Sequence, residues 1–309
     1  MKRREFLKAT AAVGVASLTF NKLQAALASG KIEVEAAPDL VAVMGGEPEE
    51  MLGVALNALG GVGEYVKRGQ SVVIKPNIGW DKTPEMASNT NPALIGALVK
   101  QCFAAGAKKV TVFDHTCDNW QKCYASSGIK NAAEAEGATV VTGNDESYYE
   151  DVHIDGAVQL KDVKIHRSLL ESDVWFNVPV LKNHGGAKMS IAMKNYMGIV
   201  WDRGYFHSNN LQQCIADVCL FRKKPVLNIV DAYRCMLRNG PQGRSVSDVG
   251  TLKALIASPD IVAVDTASVG LFNQVQQMDL SEVRHIAIGE QLKLGTQKLD
   301  TLRVKRIKL

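Results

Sequence analysis

Short apolar runs, each closing on a polar residue and followed by a helical stretch, recur along this chain and narrow its fold more than any other feature. Residues 40–44, 71–75, 110–113, 138–141, 226–230 and 252–257 are such runs. Several are apolar throughout rather than alternating, as befits strands covered on both faces, and strands of that kind belong to parallel sheets. Between them lie helices with readable ends. Pro48-Glu49-Glu50 opens one that runs to the Gly60-Gly61 stop, and Asn91 caps another that starts at Pro92 and reaches Ala105 before Gly106. Ser258-Pro259-Asp260 starts a third, residues 281–289 read as the last helix and 302–307 as the last strand. From 144 to 166 the pattern changes to alternation, the mark of a hairpin with one solvated face. Residues 238–250 are glycine-rich and read as a mobile surface loop. The expectation is an α/β fold, a mostly parallel sheet flanked by helices, with an inserted β-hairpin, as one domain over residues 29–309.

Charge divides the chain differently. The net charge is +4, yet residues 1–28 carry five basic side chains against one acidic, which leaves 31 basic and 31 acidic residues in the remainder. A balanced body of that kind is not built to neutralise phosphates, so nucleic acid is not expected as a partner. The leading segment reads as an address. Arg3-Arg4-Glu5-Phe6-Leu7-Lys8 has the twin-arginine export pattern, residues 9–20 follow as a modest apolar stretch, and Ala26-Leu27-Ala28 fits a cleavage site. Residues 1–28 are therefore expected to be a signal peptide handled by the twin-arginine translocase, with a periplasmic mature protein. No later stretch is long and apolar enough to act as a stable membrane anchor. The six cysteines form no C-x-x-C pair; buried free thiols are the favoured expectation, with one or two disulfides, Cys117 and Cys123 being nearest in sequence, as the alternative in an oxidising compartment.

Function is read mainly from residues 178–201. An apolar run beginning at Val174 leads into Lys182-Asn183-His184-Gly185-Gly186-Ala187-Lys188, and Lys194-Asn195 follow. Three lysines, two asparagines and a histidine thus fall between 182 and 195. The glycine pair permits a tight turn and close approach of a ligand. It is read as leading into a helix near Ala187 or Lys188, whose free N–H groups, with Lys182 and Lys188, would suit a phosphate or carboxylate. Other polar residues stand where strands are expected to end: Lys75 and Asn77, Asp114 and His115, and Asp231. In open parallel sheets ligands bind beyond the carboxyl ends of the strands, so these residues should line one crevice.

The roles expected are ligand binding for Lys75, Asn77, Lys182, Asn183, Gly185, Gly186, Lys188, Asn195 and Asp231, and catalysis for His184 and Lys194. His184 would transfer a proton, and Lys194, set among apolar neighbours, would have a depressed pKa suited to a base. The ligand would be a small anionic or carbonyl-bearing molecule. No H-x-x-x-H or H-E-x-x-H spacing specifies a metal site, and no G-x-S-x-G elbow specifies a hydrolase. A non-catalytic periplasmic ligand-binding or accessory protein using the same crevice is the alternative.

Five stretches resemble the domain-of-unknown-function 362 family: Val73-Ile74-Lys75-Pro76-Asn77, Asn177-Val178-Pro179-Val180-Leu181-Lys182-Asn183-His184, Ala192-Met193-Lys194-Asn195-Tyr196-Met197-Gly198, Asp231, and Ala257-Ser258-Pro259-Asp260-Ile261-Val262-Ala263-Val264-Asp265. The resemblance spans roughly residues 40–309. Some members of that family carry ferredoxin-like cysteine repeats, which this chain lacks, so iron–sulfur binding is not implied. His184-Gly185-Gly186-Ala187-Lys188 is also similar to a segment in the N-terminal domain of lactate racemases that use a nickel-pincer nucleotide. That similarity implies cofactor contact by Lys182 or Lys188 and proton transfer by His184. The second half of such enzymes is not recognisable here.

Overall fold

The computed structural model describes residues 36–309, and contacts separate residues 1–37 from a unit of residues 38–309, which holds everything below. The export pattern and cleavage site expected within 1–28 lie outside the described residues. Twelve strands occur among the described residues: β1 Leu40–Met44, β2 Ser71–Pro76, β3 Lys109–Val112, β4 Thr139–Val140, β5 Tyr149–His153, β6 Asp162–His166, β7 Val174–Val178, β8 Val180–His184, β9 Lys188–Ser190, β10 Leu227–Met236, β11 Val249–Ser258 and β12 Val304–Lys308. Ten of them form one sheet in the order β12-β1-β11-β10-β7-β2-β3-β4, with β8 paired to β10 and β9 to β8. From β10 to β4 neighbours run parallel, with Ile74 opposite both Phe176 and Val112. Only the pairings of β11 and of β9 are antiparallel. The sheet is mostly parallel, as the uninterrupted apolar runs require.

Alternation along each strand sends successive side chains to opposite faces, and both faces are covered. Val72, Ile74, Phe176, Val178 and Ile229 pack under α1 (Pro48–Ala58), α2 (Pro92–Ala104), α3 (Trp120–Ser126) and α4 (Ile129–Ala135). Val73, Trp175, Val230 and Ala232 face the other way, toward α5 (Ala192–Asn195), α6 (Leu211–Val218), α7 (Ile261–Phe272) and α8 (Arg284–Gln291). Most of these side chains are fully buried, each contributing about 1.5–3 kcal/mol of transfer free energy. The expected hairpin is present as a separate antiparallel pair, β5 with β6, in register from Tyr149 opposite His166 to His153 opposite Asp162. Ile165 and Val163 anchor it on the second core.

Three expectations are corrected. Gly185-Gly186 does not lead into a helix; it is the turn between β8 and β9, which pair from His184–Lys188 to Lys182–Ser190. Met189 and Ile191 fit strand alternation as well as a helical face, and antiparallel pairing with β8 decides between the two. The helix starts only at Ala192, where the Asp265 carboxylate accepts the N–H groups of Ala192 (2.7 Å) and Met193 (3.0 Å) from across the molecule. Second, the strand expected over 226–230 continues to Met236, which puts Asp231 within a strand instead of at its end. Third, the glycine-rich loop is shorter, because β11 already begins at Val249, and it is tied down. Gly240 N–H donates to Asn183 Oδ1 (3.2 Å), and the Gln242 carbonyl accepts from Ser88 Oγ (2.8 Å).

Candidate functional site

A cavity of about 410 Å³ opens beyond the carboxyl ends of the parallel strands, where Lys75, Asn77, Lys182, His184, Lys194 and Asn195 meet. Segments distant in the chain meet here: β2 supplies Lys75 and the residue after it Asn77, while β8 supplies Lys182 and His184 and α5, which follows it closely, supplies Lys194 and Asn195. Asp114, His115 and Cys117 line it from the segment after β3.

The three lysines are held in different ways. Lys75 is fully buried and saturated, pairing with Asp114 (2.7 Å) and donating to Asn195 Oδ1 (2.8 Å) and the Pro76 carbonyl (2.9 Å). Burial lowers its pKa, and the Asp114 carboxylate opposes that. Lys182 is equally enclosed and donates to Asn77 Oδ1 (2.8 Å) and the Ser88 carbonyl, with no carboxylate partner among the described residues. Burial pulls it down to about 7. Lys194 has the least support: among the described residues its ammonium has one hydrogen-bond partner, the Met197 thioether at 3.1 Å, and burial pulls it down to about 8.

His184 has a defined tautomer. The Ala187 N–H donates to its Nδ1 (3.0 Å), so Nε2 carries the proton. Burial, reinforced by the Lys194 and Lys182 charges, lowers its pKa to about 2. Near neutrality His184 is therefore a neutral hydrogen-bond donor, and its environment does not favour the imidazolium that the expected proton transfer would use. His115 is similarly kept neutral: burial lowers it to about 4, its Nδ1 lies 3.1 Å from the Val200 carbonyl, and its ring stacks on Trp201 with centroids 5.1 Å apart.

Behind the cavity floor runs a chain of buried amides. Asn77 Nδ2 donates to Asn195 Oδ1 (3.3 Å), Asn195 Nδ2 to Asn177 Oδ1 (2.8 Å), and Asn177 Nδ2 to Asn228 Oδ1 (2.9 Å). Asn228 in turn reaches the Ser258 carbonyl (3.2 Å). Each amide uses its oxygen and nitrogen in a fixed sense, so the network sets which end of Asn77 faces Lys182. An interior network of this kind is tolerated only when its members are satisfied.

Five of the eleven expected site residues do not line the cavity. Lys188 is half-exposed on the far side of the β8–β9 turn and pairs with Glu282. Asp231 lies inside β10 and accepts the N–H groups of Asn91 (2.7 Å) and Tyr233 (3.0 Å), which positions the start of α2. Asn183 points to Gly240, and Gly185 and Gly186 form an exposed turn. Of the two lysines that the racemase similarity would bring to a cofactor, Lys182 is at the cavity and Lys188 is not.

Sequence reasoning missed Arg203, Trp80, His207 and Cys117 as cavity residues. Arg203 donates through Nη1 to the His115 carbonyl (2.9 Å) and Cys117 Sγ (3.2 Å) and through Nη2 to the Thr116 carbonyl, while its buried Nε has no partner among the described residues. Cys117 follows Asp114 by three residues, and its place after a strand end was the available signal. Nothing in the local pattern around Arg203 marks it. Trp80 is placed by Asn89, whose Oδ1 accepts from the N–H groups of Gly79 and Trp80 and whose Nδ2 donates to the Trp80 and Lys82 carbonyls.

Comparison with known proteins places this geometry. The family model described as "Domain of unknown function (DUF362)" matches residues 72–270, nearly two thirds of the chain and every cavity residue named above. The chain belongs to that family. Among curated proteins, the thylakoid-associated protein sll1697 of Synechocystis sp. is 24% identical over 248 residues, covering 78% of this chain and 73% of that protein. Among solved structures, the lactate racemase apoprotein from Thermoanaerobacterium thermosaccharolyticum aligns with a TM-score of 0.41 at 13% identity. That alignment covers 71% of this chain and 54% of the racemase, so the chain spans about half of that enzyme's length.

Proposed function

We propose that this DUF362 protein is an enzyme that binds a small anionic substrate or cofactor in the Lys/Asn/His cavity. One observation carries the reading. Lys182 and Lys194 border the same cavity and neither has a carboxylate partner among the described residues, so an anion entering it would meet two cations that are incompletely compensated. Lys182 and Lys194 would neutralise the ligand's charge and His184 Nε2–H would donate to one of its oxygens. Lys75 and Asn195 would hold the floor, and Asn77 would orient Lys182. A donor aimed at an oxygen where charge develops is a standard means of lowering a barrier in a water-poor site.

The reading as a binding or accessory protein draws on the same residues and is separated from the first by two substitutions. Lys182→Ala is expected to weaken anion binding at least tenfold by calorimetry in either case. His184→Ala is expected to leave affinity within a few-fold and to abolish turnover of a ligand identified by native mass spectrometry of the purified protein. Retained binding with no turnover in the parent chain would favour the accessory role. A lysine variant that binds phosphate and small carboxylates as tightly as the parent would reject the site.

The address proposed for residues 1–28 is export by the twin-arginine translocase to the periplasm. It rests on Arg3-Arg4 and the apolar stretch that follows. Fused to a reporter, residues 1–28 should direct export that is lost when Arg3→Lys and Arg4→Lys are combined. Export unaffected by that pair would refute the assignment.

A further inference from the structure

Lys194 differs from its neighbours in a way that anion binding alone does not use. Lys75 has a carboxylate and two oxygen acceptors, and Lys182 has two oxygen acceptors. The Lys194 amine borders the cavity with a thioether as its one hydrogen-bond partner among the described residues. A thioether is a weak acceptor that does little to hold a proton on nitrogen. The charged groups around it are mostly cationic or engaged elsewhere. Lys75, Lys182 and Arg203 oppose its charge, Asp114 is taken up by Lys75 and by the Ile78 N–H (2.7 Å), and Cys117 lies against Arg203. His184, His207 and His285 each feel the Lys194 charge and are held below the ordinary histidine value, so they add no positive charge near neutrality, and an imidazole is no counter-ion to an ammonium.

Resting on the anion-site reading, we propose that Lys194 is a nucleophilic amine that forms an imine with a carbonyl-bearing carboxylate, a 2-oxo acid being the class that fits. The neutral amine adds to the ketone carbon, forming a C–N bond as one nitrogen-bound proton passes to the former carbonyl oxygen. The resulting carbinolamine loses its hydroxyl with the second nitrogen-bound proton as water, leaving C=N. No oxidant, reductant or other reactant is needed. His184 Nε2–H is the available donor for the carbonyl oxygen, and Lys182 the cation for the carboxylate. An amine partly withdrawn from water, with few partners and an adjacent second cation, is in the environment in which lysines become nucleophiles.

The test uses the purified full chain at pH 8 with pyruvate as probe, propionate as an anion of similar size without a ketone, and borohydride to reduce any imine to a stable amine. Intact mass should show one reduced adduct per chain with pyruvate and none with propionate, and peptide mapping of the unsubstituted protein should place it on Lys194. Lys194→Arg should abolish the adduct, and Lys188→Arg should leave it. Peptide mapping needs no variant, so an unfolded Lys194→Arg would not obscure the result. If propionate and pyruvate both bind by calorimetry but borohydride leaves Lys194 unmodified, the imine is wrong and the anion site stands. Adducts scattered over surface lysines overturn the imine as well. If neither acid binds, both readings fall.

Discussion

At the scale of single residues, the site depends on where protons sit. Lys182 and Lys194 have values pulled down to about 7 and about 8, so each loses its charge within the range in which most proteins are handled. Affinity for phosphate or a small carboxylate should therefore fall as pH rises from 6.5 to 9, by more than the titration of the ligand accounts for. Calorimetry across that range checks it, and an affinity independent of pH would show that other groups hold the anion. Gly198 is a second residue whose chemistry is spatial. A Cβ there would stand 2.6 Å from Lys75 Nζ, with Asp114 Oδ1 closer still, so Gly198→Ala must push the buried pair apart. Separating a buried ion pair costs about 3–5 kcal/mol. The same substitution at Gly53 in α1 meets nothing within 4 Å and should stabilise by about 0.5–1 kcal/mol, as alanine does within helices. Denaturant midpoints of the two variants should move in opposite directions.

At the scale of elements, short loops with borrowed anchors make the walls. The segment between β2 and α2 has little regular structure of its own, and Asn89 stands in for it with four hydrogen bonds of 2.9–3.2 Å to the backbone of residues 79–82. Asn89→Ala leaves the Gly79 and Trp80 N–H groups without their acceptor and should cost about 2–4 kcal/mol, since each orphaned buried donor costs about 1–3. Amide hydrogen exchange should accelerate at Gly79 and Trp80 well before the strands open. Uniform exchange across the molecule would show that the loop is not a separate unit. The glycine pair after His184 teaches a related lesson. The residues are compatible with a helix start or a hairpin turn, and pairing with β8, a partner the local sequence does not specify, selects the turn.

At the scale of the whole unit, the two cores on either side of the sheet bury the cationic floor along with the apolar strands. Burying Lys182 and Lys194 has a linkage consequence whose sign is fixed. Unfolded, each holds its proton up to an ordinary value of 10.5; folded, each releases it near 7 or 8. Between those limits the unfolded chain binds more protons, so this contribution to stability increases as pH rises from about 7 toward 10.5 and is smallest below 7. Chemical denaturation of Lys182→Met should be less sensitive to pH than the parent in that interval. An unchanged pH slope would place the Lys182 charge in water. Ligand affinity and stability thus respond to pH in opposite directions, because the same lysines attract the anion when charged and oppose folding when charged.

The sequence by itself determined the elements and their class. Apolar runs of strand length, the Asn91 cap, the Ser258-Pro259-Asp260 helix start and the change to alternation at residue 144 each report a local cost, of exposed surface or of an unsatisfied helix end, and these are decided within a few residues. It also marked Lys75, Asn77, Lys182 and His184 for a common cavity, since strand-end position in a parallel sheet is a consequence of topology, whereas Lys194 and Asn195 reach that cavity from α5. Only the tertiary structure decided the rest. Asp231 became an internal acceptor because β10 runs on past it, and Lys188 turned outward because β9 pairs with β8. Arg203 and Cys117 entered the cavity wall by contact across 86 residues. The charge state of each lysine is likewise a tertiary property, since desolvation and the distance to Asp114, neither of which is written in local sequence, determine how firmly a proton is held.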